Sequence, residues 1–545
     1  MEQGRRFKIA LPLEFPQSLS ALGQRVWPLL VVVLLVVLFI PYLRVDLPIL
    51  QQAHHPVSRF LLSLFPDIGV SLLVFVALRW PVWALAFFFA TAPLANGLVA
   101  WVTHGNPGLH KAAGIFWVEP LFLSIAIGLL LRRVRWLEHG RSKGFEASVG
   151  FYAGVVVISL ALSFRPIEGW WAHLPPAWAD LFRTDQLAPY HQPRAALLIL
   201  ASLLCYRLTV THLRTAAEIQ LVCRGWLVGG LLTGMYGIWT WLRHEGALRS
   251  GIVSVLDDSN SYASYLVLTL SVAWGEWLTE RAPWARALSA LTLVITLWMF
   301  PLAGSRIAII AATVCAGIAW TTLPRSARAR WIRGSVLAAI ACLILLFPLL
   351  GGREIMEKGV QGFPSLKSWG IQRFAQAMDA EFVFDVWRGG RRAISAAGLR
   401  MVGERPVFGQ GPGTFVKRLG DFYRPWDEGY KPRHENAHNY FIQVAAETGI
   451  VGFVGFLWVV ATGLVAAFTR NLNGERVRAR LLAAGIVGYL MTAFTGHPLL
   501  LSEQAFLFWG SLGILAACTR LGHVAPNVPS VTSHEASASG PSSSA

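Results

Sequence analysis

The chain has 545 residues, 54% of them hydrophobic and only 14% charged, with a mean hydropathy of +0.51. A soluble chain carries roughly 25% charged residues, so this composition disfavours a soluble enzyme, a disordered chain or a disulfide scaffold and leaves a polytopic membrane protein. The net charge of +17 raises nucleic acid as a partner, a question that the position of the charges has to answer.

From the N-terminus, Arg5, Arg6 and Lys8 precede a first apolar run at Trp27–Tyr42. That run is too long and too late for a signal-peptide core, and no small-residue cleavage site follows it. It reads as an uncleaved span. Windows of about 20 mostly apolar residues then recur at 26–43, 60–78, 81–101, 114–131, 147–164, 195–211, 221–242, 261–279, 287–304, 307–323, 335–351, 439–468, 482–498 and 503–519. The expected fold is therefore all-α, a transmembrane helix bundle of about 12–14 spans.

The expected organisation is a cytoplasmic N-terminus (1–25), eleven spans with short loops (26–351), a large outer loop (352–437), three further spans (438–520) and a tail (521–545). The tail ends in a Ser/Ala/Gly-rich stretch that has no means of burying a core. All five cysteines fall inside apolar runs, without metal spacing, and read as small buried hydrophobes.

Three short loops are densely basic: Arg132 to Lys143, Arg325 to Arg333, and Arg470 to Arg480. Under strict alternation all three fall on one side together with the N-terminal cluster. By the positive-inside rule that side is cytoplasmic, which places both termini in the cytoplasm and the 352–437 loop outside. The excess charge then sets topology, and no nucleic-acid partner is expected. In the outer segment 165–194, Trp170, Trp171 and Trp178 suit an interfacial aromatic belt.

The chemistry concentrates where the outer loop meets the span at 439–468. His434-Glu435-x-x-His438 matches the zincin pattern, which needs both imidazoles on one helical face and a third ligand; Pro432 lies just upstream and no third ligand is evident. Alternatively His438 acts alone, at the mouth of an apolar helix, where an imidazole with an ordinary pKa near 6.5 serves as a base. As the bland alternative, it caps the helix. Gly449, Gly452 and Gly455 follow at every third position, a spacing that admits a closely packed neighbouring helix. Glu447 falls on the opposite side of the helix from His438 and reads as a structural pairing. Asp67 and Glu119, inside apolar runs, read either as a transport pathway or as helix–helix hydrogen bonds.

His438-Asn439, nine residues, Gly449, two residues, Gly452 resembles the pattern of the O-antigen ligase and O-antigen polymerase family. Similar segments occur in order: Asp257-Asp258-Ser259-Asn260, then Gly304-Ser305-Arg306, then Arg391, and then Arg405-Pro406-x-x-Gly409-x-Gly411-x-Gly413-x-Phe415. The resemblance covers roughly 250–470, and Ser395 stands where members often carry an aromatic residue.

The resemblance implies a GT-C-like inner-membrane glycosyltransferase, multi-pass and with its site facing the periplasm. The large periplasmic loop would be partly helical. A polyprenyl-diphosphate-linked glycan would be donor, and lipid A core or a growing glycan acceptor. On this reading His438 is the base and Arg306 and Arg391 hold the diphosphate, with Asn439, Asn260, Gly409 and Gly411 in support and no metal or cofactor. Read from the residues themselves, Arg391 begins an amphipathic helix on the stripe of Ile394, Gly398 and Val402, with Arg400 opposite. Pro406 ends that helix. The alternative of another class is a lipid-linked glycan flippase, for which Asp67 and Glu119 would matter more than His438.

Overall fold

The computed structural model describes residues 70–94, 107–131, 143–163, 192–243, 259–332, 334–335, 391–427, 431–469 and 475–521. Among the described residues there is no strand. The helices before residue 391 are α1 (Val70–Arg79), α2 (Pro81–Thr91), α3 (Pro107–Leu131), α4 (Lys143–Ser163), α5 (Gln192–His212), α6 (Ala216–Arg243), α7 (Ser259–Thr279), α8 (Pro283–Ala303) and α9 (Arg306–Thr322). The segment before the last spans carries α10 (Arg391–Glu404) and α11 (Phe415–Arg418), and the chain continues through α12 (Tyr440–Thr469), α13 (Arg476–Ala493) and α14 (Ser502–Leu521).

Six of these helices, α4, α5, α6, α8, α12 and α14, are long and apolar enough to cross a membrane by themselves. The all-helical, polytopic fold is as expected. The predicted spans at 26–43 and 335–351, Asp67, the 132–142 loop, the Trp-rich segment and the tail lie outside the described residues.

Helix ends follow local chemistry. Pro81 and Pro283 stand in the first turns of α2 and α8, where the missing N–H costs nothing. Gly304, at φ +68°, ends α8 in the left-handed conformation, and Ser305 turns the chain directly into α9. A glycine adopts that conformation without penalty.

Packing fixes which ends lie together. In α4 against α12, Ser159, Val155 and Phe151 face Glu447, Gly452 and Gly455 in turn, so the two run antiparallel. Antiparallel pairing also joins α7 to α13, through Ser264 with Thr492 at 2.7 Å and Glu276 with Arg478 at 2.5 Å. In α9 against α13, Ala311 and Cys315 meet Gly488 and Ala484. One end of the bundle therefore collects the starts of α7, α9 and α12 with the ends of α4 and α13.

The opposite end carries the basic residues. There Arg478 is buried against Glu276, Glu475 and Thr279, Arg330 reaches the Leu278 carbonyl at 3.2 Å, and Arg224 pairs with Glu280 at 2.5 Å beneath Trp284. Two of the three basic loops thus meet at one face, as the alternation requires.

Glu119 of α3 pairs with Arg194 of α5 at 2.6 Å and accepts a hydrogen bond from Ser502 of α14 at 2.6 Å, with both charged side chains buried. This is the helix–helix reading of Glu119: the carboxylate ties three helices together. Removing one partner of a buried pair strands the other charge at about 3–5 kcal/mol. Glu119→Ala is accordingly expected to lower thermal stability in detergent severely, while Glu119→Gln, which keeps the Ser502 contact, loses less; a wild-type melting temperature in Glu119→Ala would refute the pairing role.

Candidate active site

The site end is shaped by a small second core. Ile394, Ala397 and Met401 on one face of α10 pack with Phe415, Leu419 and Ala437, and with Ala446 on the first turns of α12. This is the amphipathic stripe expected from the sequence, with Gly398 set against Ile442 and Phe415. Arg400 points away from it and grips Asp427 through two bonds of 2.6 Å.

The glycine-rich segment after Pro406 does not lie open. Gln410 and Gly411 donate their N–H groups to the Ala446 and Glu447 carbonyls at 2.9 and 2.8 Å. Ile450 and Val451 donate back to Pro406 and Val407. The Glu447 carboxylate accepts the N–H groups of Gly413 and Phe415, at 2.9 and 3.3 Å, and the Gln443 amide at 3.1 Å.

This exchange works because α12 is broken at Gly449, whose φ of 73° and ψ of −178° belong to a region open essentially to glycine alone. The break frees carbonyls that an unbroken helix would use itself. Gly449 therefore departs from the packing role its spacing suggested, whereas Gly455 does lie against Phe151 and Tyr152. Gly409 and Gly411, both at positive φ, serve this docking: their N–H groups go to the Arg405 and Glu447 carbonyls. Glu447 has the structural pairing expected of it.

The His434–Asn439 stretch is not helical. Asn436 Oδ1 accepts the His438 N–H at 2.9 Å, and Asn439 Oδ1 accepts those of Phe441 and Ile442 at 3.0 and 3.2 Å, an N-cap of α12. His438 is held between these two turns at φ 47°, the one non-glycine positive φ among the described residues. It precedes the helix rather than opening it, and the helix begins at Tyr440, one residue after the expected start of the span at 439. Without a helix, His434 and His438 share no helical face: His434 Nδ1 stands 3.4 Å from the Val416 carbonyl, while the His438 ring turns elsewhere. The zincin geometry is not formed.

The His438 ring meets His497 edge-on, centroids 5.6 Å apart, and His438 Nε2 lies 3.7 Å from Glu435 Oε1. The Asn436 amide Nδ2 bonds Glu435 at 2.9 Å and stands 3.4 Å from His497 Nε2. His497 belongs to the Phe494–Leu501 connection between α13 and α14, which also holds Thr495, whose carbonyl accepts Arg391 Nη1 at 2.6 Å. Phe441 and Phe494, centroids 4.4 Å apart, close the floor.

Sequence reasoning missed His497 because it extended a span to 498, whereas α13 stops at Ala493. The available signal was Gly496-His497-Pro498, a break in the apolar run with a titratable residue inside it.

Two expected residues reach this end by backbone register. Extending the α9–α13 pairing by five residues from Ala311 and Gly488 sets Arg306 level with Ala493. One turn beyond the Ser264–Thr492 contact, Asn260 lies in the first turn of α7, at the end of the bundle where α13 stops. Arg391 and His438 thus meet the same α13–α14 connection, through Thr495 and His497, with Asn439 next to His438, and the backbone of Asn260 and Arg306 lies at the same end of the bundle.

Residues 291–457 match the family model described as O-antigen ligase. The matched stretch takes in Arg306, Arg391, Gly409, Gly411, His438 and Asn439, and stops short of Asn260 and His497. The comparison with curated proteins yields no match.

Proposed function

We propose, from the premise that the chain carries the domain of the O-antigen ligase and polymerase family, that it is a membrane glycosyltransferase acting at the rim around His438. The supporting observation is the convergence at one connection of His438, whose backbone N–H is held by Asn436, a second imidazole edge-on to its ring, and an arginine docked from α10.

The donor is a polyprenyl-diphosphate-linked glycan and the acceptor a sugar hydroxyl, of lipid A core for a ligase or of another glycan for a polymerase. The acceptor oxygen attacks the anomeric carbon and the bond to the diphosphate oxygen breaks, leaving its electron pair on the diphosphate. His438 takes the acceptor proton. Arg306 and Arg391 offset the charge gathering on the leaving group, for which the guanidinium fork is suited. The energy is stored in the sugar–diphosphate bond, so no nucleotide is consumed, and a single displacement inverts the anomeric configuration. With the basic end cytoplasmic, the rim faces the periplasm from the inner membrane.

Purified protein in liposomes, given a lipid-diphosphate glycan and an acceptor, is expected to form a glycosidic bond and release polyprenyl diphosphate, with activity persisting in EDTA. A flippase would move the donor across the bilayer without forming a bond. Activity abolished by EDTA and by both His434→Ala and Glu435→Ala would return the zinc reading.

A further inference from the structure

Trp426 is the most exposed large hydrophobic residue of the described chain, at 73%; Trp83 and Trp284 at 61% and Leu399 at 60% follow, on α2, α8 and α10. All three stand on helices, and Trp284 stacks on the Arg224 guanidinium. Trp426 instead sits on a hydrogen-bonded turn, Arg424-Pro425-Trp426-Asp427, in which the Asp427 N–H donates to the Arg424 carbonyl at 3.1 Å.

The turn is held unusually firmly for one so exposed. Arg400 forks onto the Asp427 carboxylate and also reaches the Phe422 carbonyl at 2.9 Å. The Arg424 N–H donates to the same carboxylate at 2.7 Å, and Lys431 Nζ caps the Arg424 and Pro425 carbonyls at 3.1 and 3.3 Å. Arg400 holds the Asp427 carboxyl well below the usual carboxylate range. Phe422 and Tyr423, just upstream, turn inward onto the second core. Trp426 alone is left outside.

Cations share its segment. Arg424, Lys431 and Arg433 are exposed, and the Arg424 and Arg433 guanidinium groups make no hydrogen bond to the described residues. Arg433 lies against Gly420 and five residues before His438. A face for lipid would present contiguous apolar side chains, whereas here one indole shares an exposed segment with Arg424, Lys431 and Arg433. That combination fits a sugar ring bearing a phosphate or carboxylate: the apolar face of the pyranose stacks on the indole, and the anion pairs with the arginines.

We propose that Trp426, Arg424, Lys431 and Arg433 form a subsite for an anionic sugar unit of the glycan, apart from the rim where the bond is made. The proposal rests on the glycosyl-transfer reading for its ligand class. Its test uses the full chain in detergent and a water-soluble phosphorylated oligosaccharide obtained by deacylating lipooligosaccharide, with its phosphatase-treated counterpart. Wild type is expected to bind the phosphorylated fragment about tenfold more tightly than the treated one. Trp426→Ala should weaken binding by up to about tenfold, Trp426→Phe by less, and Arg424→Ala/Arg433→Ala should erase the preference for phosphate.

In transfer assays KM rises in Trp426→Ala for the acceptor if the acceptor supplies that sugar, and for the donor if the donor does. Equal fragment binding by wild type and Trp426→Ala overturns the subsite, as does quenching of the Trp426 emission (wild type minus Trp426→Phe) by brominated lipid, which would seat the indole in the bilayer. Trp426-dependent binding in a protein that forms no glycosidic bond would instead leave the subsite standing and remove the transfer reading.

Discussion

His438→Asn is expected to abolish glycan transfer while leaving the protein folded. A positioned general base contributes about 10²–10⁴-fold, so the loss should fall in that range, measured as kcat/KM in proteoliposomes. Asparagine is the informative replacement because of the backbone. At φ 47° residue 438 occupies the left-handed region, which costs most side chains about 1–2 kcal/mol and is visited routinely by asparagine.

His438→Ala confounds lost chemistry with lost backbone compatibility. His438→Asn keeps the turn, the Asn436 bond to its N–H and the Asn439 cap, and removes the imidazole. Unchanged melting with activity down by at least a hundredfold fits a base; substantial residual transfer in His438→Asn would reduce His438 to a structural turn.

The second large effect is expected at Gly449, remote from the reacting atoms. An alanine there would take up a conformation essentially reserved for glycine, at about 1–3 kcal/mol, and its Cβ would overlap the Val407 carbonyl and the Phe408 nitrogen. Backbone cannot swing aside as a side chain does, so overpacking adds a further cost of about 1–3 kcal/mol. The Pro406–Thr414 segment should then leave α12. With it would go the docking of α10 that brings Arg391 to Thr495. Gly449→Ala is expected to lower thermal stability and to reduce transfer at least as much as Arg391→Ala. Gly452→Ala, whose Cβ would meet chiefly the Thr448 side chain, should do less. Equal behaviour of the two glycine variants would show that the break in α12 does not position the site.

Hydropathy alone determined the class. Apolar windows long enough to cross a bilayer are visible in any sequence because lipid requires every backbone group to be satisfied within the segment, so α4, α5, α6, α8 and α12 lie where they were expected. Charge position determined the common face of the basic loops for a related reason: the burial of Arg478 and the contacts of Arg330 occur at helix ends that alternation had already placed together. The amphipathic stripe of α10 was legible too, since Ile394 and Gly398 follow the helical period, and the pattern through His438-Asn439, Gly449 and Gly452 pointed to the O-antigen ligase model that residues 291–457 match.

What only the tertiary structure decided was where those residues go. A motif read along the chain assigns Gly409, Gly411 and Gly449 to flexibility or to phosphate, but donors and acceptors pair in space. The freed carbonyls of a broken α12 captured the glycine N–H groups. His497 and Thr495 lie in a short connection that hydropathy averages into its flanking spans, so their approach to His438 and Arg391 follows from helix packing and from no local pattern. The same holds for Trp426, an ordinary loop tryptophan in the sequence. Its exposure matters because Arg400, 26 positions earlier, folds back to clamp the turn that presents it.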